Sequence, residues 1–167
     1  MRSFKESRPG EWIVATSQEM LQELFSRLRS ELAPAEQQGY DSSRLYLLLD
    51  ELLSNVYRHG YQGRDGEPIG VRVRMQGERA HVVVRDLAPT FDSAGHALTR
   101  KAPPPESGSR GGMGLFIISS MCESFDHRVP HEGGNAVYVV MKLPRRGAPT
   151  ETETREASHV ASRDAGQ

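Results

Sequence analysis

Apolar residues at Leu45, Leu48, Leu49, Leu52, Leu53, Val56 and Tyr57 follow the i, i+3, i+4 spacing of an amphipathic helix. The spacing predicts a helix over 42–59, capped by Asp41 or Ser42. A second stripe, Leu21, Leu24, Phe25 and Leu28, predicts an earlier helix. It follows a Thr16 or Ser17 cap, carries Glu19 in its first turn, and stops near Leu32, before Pro34. Alternating segments read as strands at 11–16, with Trp12 and Val14 on one face, and at 69–76 and 80–86, joined as a hairpin at Gly77 and Glu78. Two more strands, 124–129 and 136–143, flank a turn of Glu132, Gly133, Gly134 and Asn135, and a further helix is expected over 114–122. Gly60, Gly63 and Gly66 mark a loop. The pattern therefore predicts an α+β two-layer sandwich, with helices on one face of a mostly antiparallel sheet.

This reading divides the chain into an N-terminal extension over 1–10, one domain over 11–144 and a tail over 145–167. The tail, RRGAPTETETREASHVASRDAGQ, has almost no core-forming residues and is expected to be disordered. Segment 93–112, which includes APPPESGSRGG, has the composition of a mobile loop. No internal repeat is present. The 167 residues suit one compact domain with a proper core.

A formal net charge of -1 and the lack of a basic stripe argue against nucleic acid as the main partner. No signal peptide or membrane-spanning run is visible, so a cytoplasmic protein with no membrane contact is expected. The single cysteine, Cys122, has no internal disulfide partner and reads as an inert buried thiol in a reducing compartment. His127 and His131 are four apart, but Pro130 and a strand-like setting spoil their pairing as zinc ligands.

Within DELLSNVYRHGY, residues 50–61, Glu51, Asn55 and His59 recur every four positions. Glu51 and Asn55 fall on the shoulder of the apolar stripe, where a carboxylate and an amide would line a pocket at the core's edge. The strand AHVVVRD ends in Asp86 and runs into LAPTFD. The glycine turn RGGMGLFII, residues 110–118, opens onto an apolar stretch. Gly111, Gly112 and Gly114 let backbone approach phosphate oxygens, and a following helix would offer free N–H groups.

These three boxes, in this order over about 10–143, resemble the ATP-binding domain of the GHKL superfamily, which includes DNA gyrase and the histidine kinases. DELLSNVYRHGY and RGGMGLFII are most similar to the N box and second glycine box of the anti-sigma-factor serine/threonine kinases. The resemblance implies the Bergerat-type ATP-binding topology, with ATP between the helices and a lid over 93–112. It implies Mg2+ on Asn55, a hard oxygen ligand, and adenine on Asp86. It assigns the phosphate side to His59, Arg110, Gly111, Gly112, Met113, Gly114 and Leu115, and keeps Phe91 and Asp92 at the end of the first glycine box. Glu51 becomes the candidate catalytic base, and Arg110 a catalytic cation at the terminal phosphate.

One position departs from the family pattern. Ala88 stands where the first glycine box usually has glycine, and a positive φ there would cost roughly 1 kcal/mol.

The activity implied is phosphorylation of a STAS-domain anti-sigma-factor antagonist by a kinase that also binds a sigma factor. The family likeness also implies a homodimer. Two other classes share these boxes: a nucleotide-binding interaction module without useful transfer, and a detached histidine-kinase catalytic domain. The second would need a phosphoacceptor helix on another chain.

Overall fold

The computed structural model describes residues 8–90, 122–131 and 133–147. In chain order the elements are β1 (Trp12–Ala15), α1 (Met20–Gln37), α2 (Ser43–Asn55), a π-helical turn (Val56–Gly60), β2 (Pro68–Gln76), β3 (Arg79–Asp86), β4 (Ser124–Arg128) and β5 (Asn135–Lys142). The five strands form one sheet in the order β1-β2-β3-β5-β4, with every neighbouring pair antiparallel. This is the expected two-layer α+β arrangement.

One face of the sheet meets the helices. Ile69, Val71 and Val73 of β2 alternate inward with Val82 and Val84 of β3 and Val139 and Met141 of β5. Against them lie Leu24, Leu28 and Leu32 of α1, and Leu45, Leu48, Leu49, Leu52 and Leu53 of α2. All of these are buried, so the core follows from the two sequence periods, 3.6 in the helices and 2 in the strands.

Helix α1 runs past its expected end, through Pro34 to Gln37. Pro34 removes one late amide, and Ser30, whose carbonyl loses that donor, is exposed where water can serve it. Continuing the helix buries Ala35 on the same stripe. Thr16 does not cap α1. Its hydroxyl donates to the Arg64 carbonyl (2.7 Å) and accepts from the Glu67 amide (2.9 Å), tying β1 to the loop before β2. Ser17 Oγ accepts from Glu19 N–H (3.1 Å). At α2 the capping side chain is Asp41, which accepts from the Ser43 amide (2.9 Å).

The outer face of the sheet carries a buried ion pair. Arg85 forks onto Glu11, with Nε–Oε1 at 2.7 Å and Nη2–Oε2 at 2.5 Å, and the side chains are 4% and 1% exposed. Glu11 lies over Gly70, where a Cβ would come within 2.7 Å of its Oε1, so the pair needs glycine at that register position. The Arg8 amide also donates to Glu11 (3.0 Å). Residues 8–11 are thus held down on the sheet.

At the C-terminal side, pairing continues past Leu143. Tyr40 and Arg145 form an isolated bridge, and Arg146 N–H donates to the Gly39 carbonyl (2.8 Å). Ordered contacts therefore reach beyond the expected boundary at 144; the remainder of the tail lies outside the described residues, as do the loop over 93–112 and all but the last residue of the helix expected over 114–122. Cys122 precedes β4 outside any regular element, and burial pushes its thiol up to about 11. Among the described residues no helix is long and apolar enough to cross a membrane.

Burial raises the Glu11 pKa, but the bonds from Arg85 and the Arg8 amide outweigh it, so the net pKa is lowered from 4.5. A depressed folded-state pKa adds stability above the unfolded value and loses it as pH falls through the folded one. Glu11→Ala should therefore destabilise by about 3–5 kcal/mol near neutrality, because Arg85 stays buried without its carboxylate counter-charge. Urea unfolding should show this gap narrowing below pH 4.5. An Arg85→Met/Glu11→Leu double variant should be closer to the parent than either single change.

Candidate functional site

Strand alternation sends Arg85 to the outer face and its neighbour Asp86 to the helix side, at the very end of β3. Asp86 is 6% exposed, and a carboxylate so buried needs partners. Its Oδ1 accepts from the Ala88 amide (2.9 Å) and from the Asn135 side-chain amide (2.8 Å). Both bonds end on the same oxygen, and Oδ2 has no partner among the described residues. Burial raises the Asp86 pKa, against the pull of Asn135, Ala88 and the nearby His127.

Asn135 lies directly opposite Asp86 in the β3–β5 register and is equally buried. Its NH2 group donates to Asp86, so its Oδ1 must accept from His127 Nε2, 3.2 Å away. The imidazole proton therefore sits on Nε2 in this contact. Gly134, with φ +78°, brings the β4–β5 turn across the end of β3. A Cβ there would stand 2.1 Å from the Asp86 carbonyl oxygen, so only glycine fits.

The end of α2 is fixed to the same strand end. After Asn55 the helix widens into the π turn, closed by Tyr61 N–H to the Val56 carbonyl (2.8 Å). The helix expected to reach His59 is thus continuous but changes register at Val56. Glu51 and Asn55 remain half-buried, without a hydrogen bond or ion pair to any described residue, while His59 is exposed.

Tyr61 then turns fully inward. Its hydroxyl donates to the Pro68 carbonyl (2.8 Å) and accepts from the Leu87 amide (2.7 Å), joining the end of the N box to β2 and β3. Beside it Gly60 meets Ala88, where a Cβ on Gly60 would lie 3.1 Å from the Ala88 methyl.

Ala88 does not carry the expected strain. Gln62 is the only non-glycine with positive φ among the described residues. The Ala88 methyl is buried at 2% exposure and fills space that Gly60 leaves open. The structure thus brings the end of α2 to the Asp86 end of β3. Phe91, Asp92, Arg110, Gly111, Gly112, Met113, Gly114 and Leu115 lie outside the described residues.

Sequence reasoning missed Tyr61, Asn135 and His127 as parts of this site. The only local signals were an aromatic residue just after Gly60 and an asparagine closing a double-glycine turn. Asn135 and His127 face Asp86 through strand register, which no local pattern reports.

Asp86→Asn tests the carboxylate's burial. The substitution preserves an acceptor for Ala88 and Asn135 but removes the charge. A raised folded-state pKa means that wild-type stability falls as pH rises through that value. Asp86→Asn should therefore be more stable than wild type at pH 7 in urea unfolding. The advantage should vanish below the unfolded value of 3.8.

Residues 14–141 match the family described as histidine kinase-like ATPase domain. A search of curated proteins returns no match. Among solved structures, the chain is similar to one titled "Mycobacterial sensor histidine kinase MprB", at 17% identity and a TM-score of 0.48, covering 81% of this chain and 99% of that one. On the family match over most of its length, the chain belongs to the histidine kinase-like ATPase family, a nucleotide-binding module with the ATP-binding fold of the GHKL superfamily.

Proposed function

We propose that this protein is an ATP-dependent serine/threonine kinase that also acts as an anti-sigma factor, switching between a sigma factor and a STAS-domain antagonist. The observation that carries the nucleotide part is Asp86: a buried carboxylate with one oxygen held by Ala88 and Asn135 and the other without a partner among the described residues. Such an acceptor suits the adenine exocyclic amine, and a base lacking that donor would leave a buried charge unpaired.

Asn55 is the candidate Mg2+ ligand. Its half-buried position, with no hydrogen-bond partner among the described residues, fits an amide oxygen available to a hard cation. Bound Mg2+ would neutralise phosphate charge. His59, Phe91, Arg110, Gly111, Gly112, Met113, Gly114 and Leu115 are the further candidates for nucleotide contact, and Arg110 would neutralise the terminal phosphate.

Glu51 is the candidate base. In the proposed reaction the antagonist's Ser or Thr oxygen bonds to the γ-phosphorus as the bond to the β–γ bridging oxygen breaks. ADP leaves, and Glu51 takes or orients the hydroxyl proton. Phosphate on the antagonist adds negative charge at the contact surface and releases it. The serine-kinase branch is supported by the wording of the N box and of RGGMGLFII. A homodimer in the cytoplasm belongs to the same reading.

Three variants test the assignment. Asn55→Ala should weaken Mg-ATP binding and phosphotransfer together. Glu51→Gln should bind ATP nearly as the parent does in calorimetry, yet transfer roughly 10²–10⁴-fold more slowly in a single-turnover assay. Asp86→Asn should fold and lose ATP affinity, since it sets an amide donor against the adenine amine. Radiolabel transfer to an antagonist should give acid-stable phosphate. Acid-labile phosphate would identify a histidine-kinase domain, and no transfer a nucleotide-binding interaction module.

A further inference from the structure

Strand β2 is nine residues long, but β1 covers only part of its free edge. The four β1 pairs end at Trp12 opposite Val71. Upstream of Trp12 the chain turns away. Glu11 N–H bonds to the Arg8 carbonyl, and the Glu11 carboxylate reaches Arg85 on the outer face of the sheet. Along 72–76 none of the described residues supplies a backbone partner on that edge. Extended backbone left open in this way is a template for one more strand.

The stretch has two different sides. Toward the helices the edge borders a groove lined by Leu32 and Ala35 of α1 and by Val73 and Met75 of β2. Glu31 stands on the helix wall of that groove, with no hydrogen bond or ion pair to any described residue. Strand alternation puts Arg72 and Arg74 on the opposite side, the outer face, two positions apart. Arg72 has no hydrogen bond or ion pair to any described residue. Among the described residues Arg74 donates only to the Pro9 carbonyl at 3.3 Å, a neutral acceptor that leaves its charge uncompensated. By contrast, Arg79, Arg85, Arg128 and Lys142 are matched by Glu123, Glu11, Asp126 and Glu78.

We infer that this edge is a docking site for an extended acidic segment of another protein. The segment adds to the sheet as a further strand, antiparallel to β2 and in line with β1. The two sides of the edge specify its sequence. Acids at alternate positions meet Arg74 and Arg72 across the strand pair on the outer face. The residues between them point to the groove, where Val73 and Met75 favour apolar or β-branched groups and Glu31 opposes a further acid. The required pattern is therefore acid alternating with apolar residue at the strand period, and not an acidic run. Main-chain hydrogen bonds to 72–76 supply affinity, while the arginines and the groove supply the choice of sequence. A second copy of the chain fits worse here, because two-fold antiparallel pairing centred on Val73 or Arg74 sets arginine against arginine.

The probe is an acetylated, amidated octapeptide of alternating glutamate and valine. Its controls are the lysine–valine counterpart and a peptide of the same composition with its glutamates in one run. Hydrogen exchange of the full chain by NMR, with and without ATP, keeps this inference separate from the kinase assignment. Amides within 72–76 that face the free edge should exchange fast in the free chain and slow on adding the glutamate–valine peptide, whether or not ATP is present. Arg72→Glu/Arg74→Glu should weaken that peptide about tenfold, the scale of two opposite-charge cross-strand pairs, and admit the lysine–valine peptide instead. Protection in β3 and β5 should stay constant in the variant and report an intact fold.

Edge amides unmoved by millimolar peptide would overturn the inference. So would equal protection from the run-of-acids peptide, or a response indifferent to the charge reversal, since either means unspecific attraction. Edge amides already protected in the free chain would show the edge to be covered. Protection that grows with protein concentration would assign it to a second copy, and protection that does not would assign it to the chain itself. Both results overturn the docking site.

Discussion

A carboxylate buried at the end of a central strand cannot be left to itself, and much of this structure follows from accommodating Asp86. Its Oδ1 takes the Ala88 amide and the Asn135 side chain. The Asn135 contact exists only if β5 pairs with β3 in the observed register. A slip of one residue would turn Asn135 to the outer face and leave the carboxylate short of a donor. The polar pairing and the hydrophobic alternation of β3 and β5 therefore specify the same register.

The neighbouring residue imposes the mirror constraint. Arg85 points to the outer face and is at least as deeply buried as Asp86. It is satisfied by Glu11, which reaches it across Gly70. Two adjacent residues of opposite charge thus fasten opposite faces of the sheet: Arg85 binds the start of the chain, and Asp86 binds the start of β5. Pairs of this kind add little net stability compared with apolar packing, because desolvation offsets attraction. What they supply here is position, since each fixes which segment lies against which strand end.

The fold was largely legible in the sequence because its core rests on periodicity. Leu45, Leu48, Leu49, Leu52 and Leu53 announce α2, and all five are buried. The hairpin at Gly77 and Glu78 and the double-glycine turn before β5 are equally local signals. The site was less legible because its contacts are set by register and by tertiary choice. Nothing near Asn135 in the chain points to Asp86, 49 residues away. The π turn was hidden because Val56 and Tyr57 fit the α-helical stripe as well as they fit the observed packing. Pro34 misled in the opposite sense: it reads as a stop, yet burial of Ala35 on the helix stripe favours carrying α1 through it.

Ala88 shows how a departure from a family pattern is absorbed locally. A methyl group at a glycine position has two possible costs, backbone strain and lost space. Strain does not arise, since Ala88 keeps a negative φ. Space is conceded by Gly60, which ends the π turn and has no side chain to oppose the methyl. The π turn delivers Gly60 to that contact, and Tyr61, one residue later, anchors it through Leu87. The end of α2 and the loop after β3 therefore form one packed joint, in which Gly60 and Ala88 are a matched pair. Enlarging Gly60 would press on Ala88 and shift Leu87, next to the Asp86 carboxylate. The residue that replaces glycine in the first glycine box is thereby tied to the helix that carries Glu51 and Asn55.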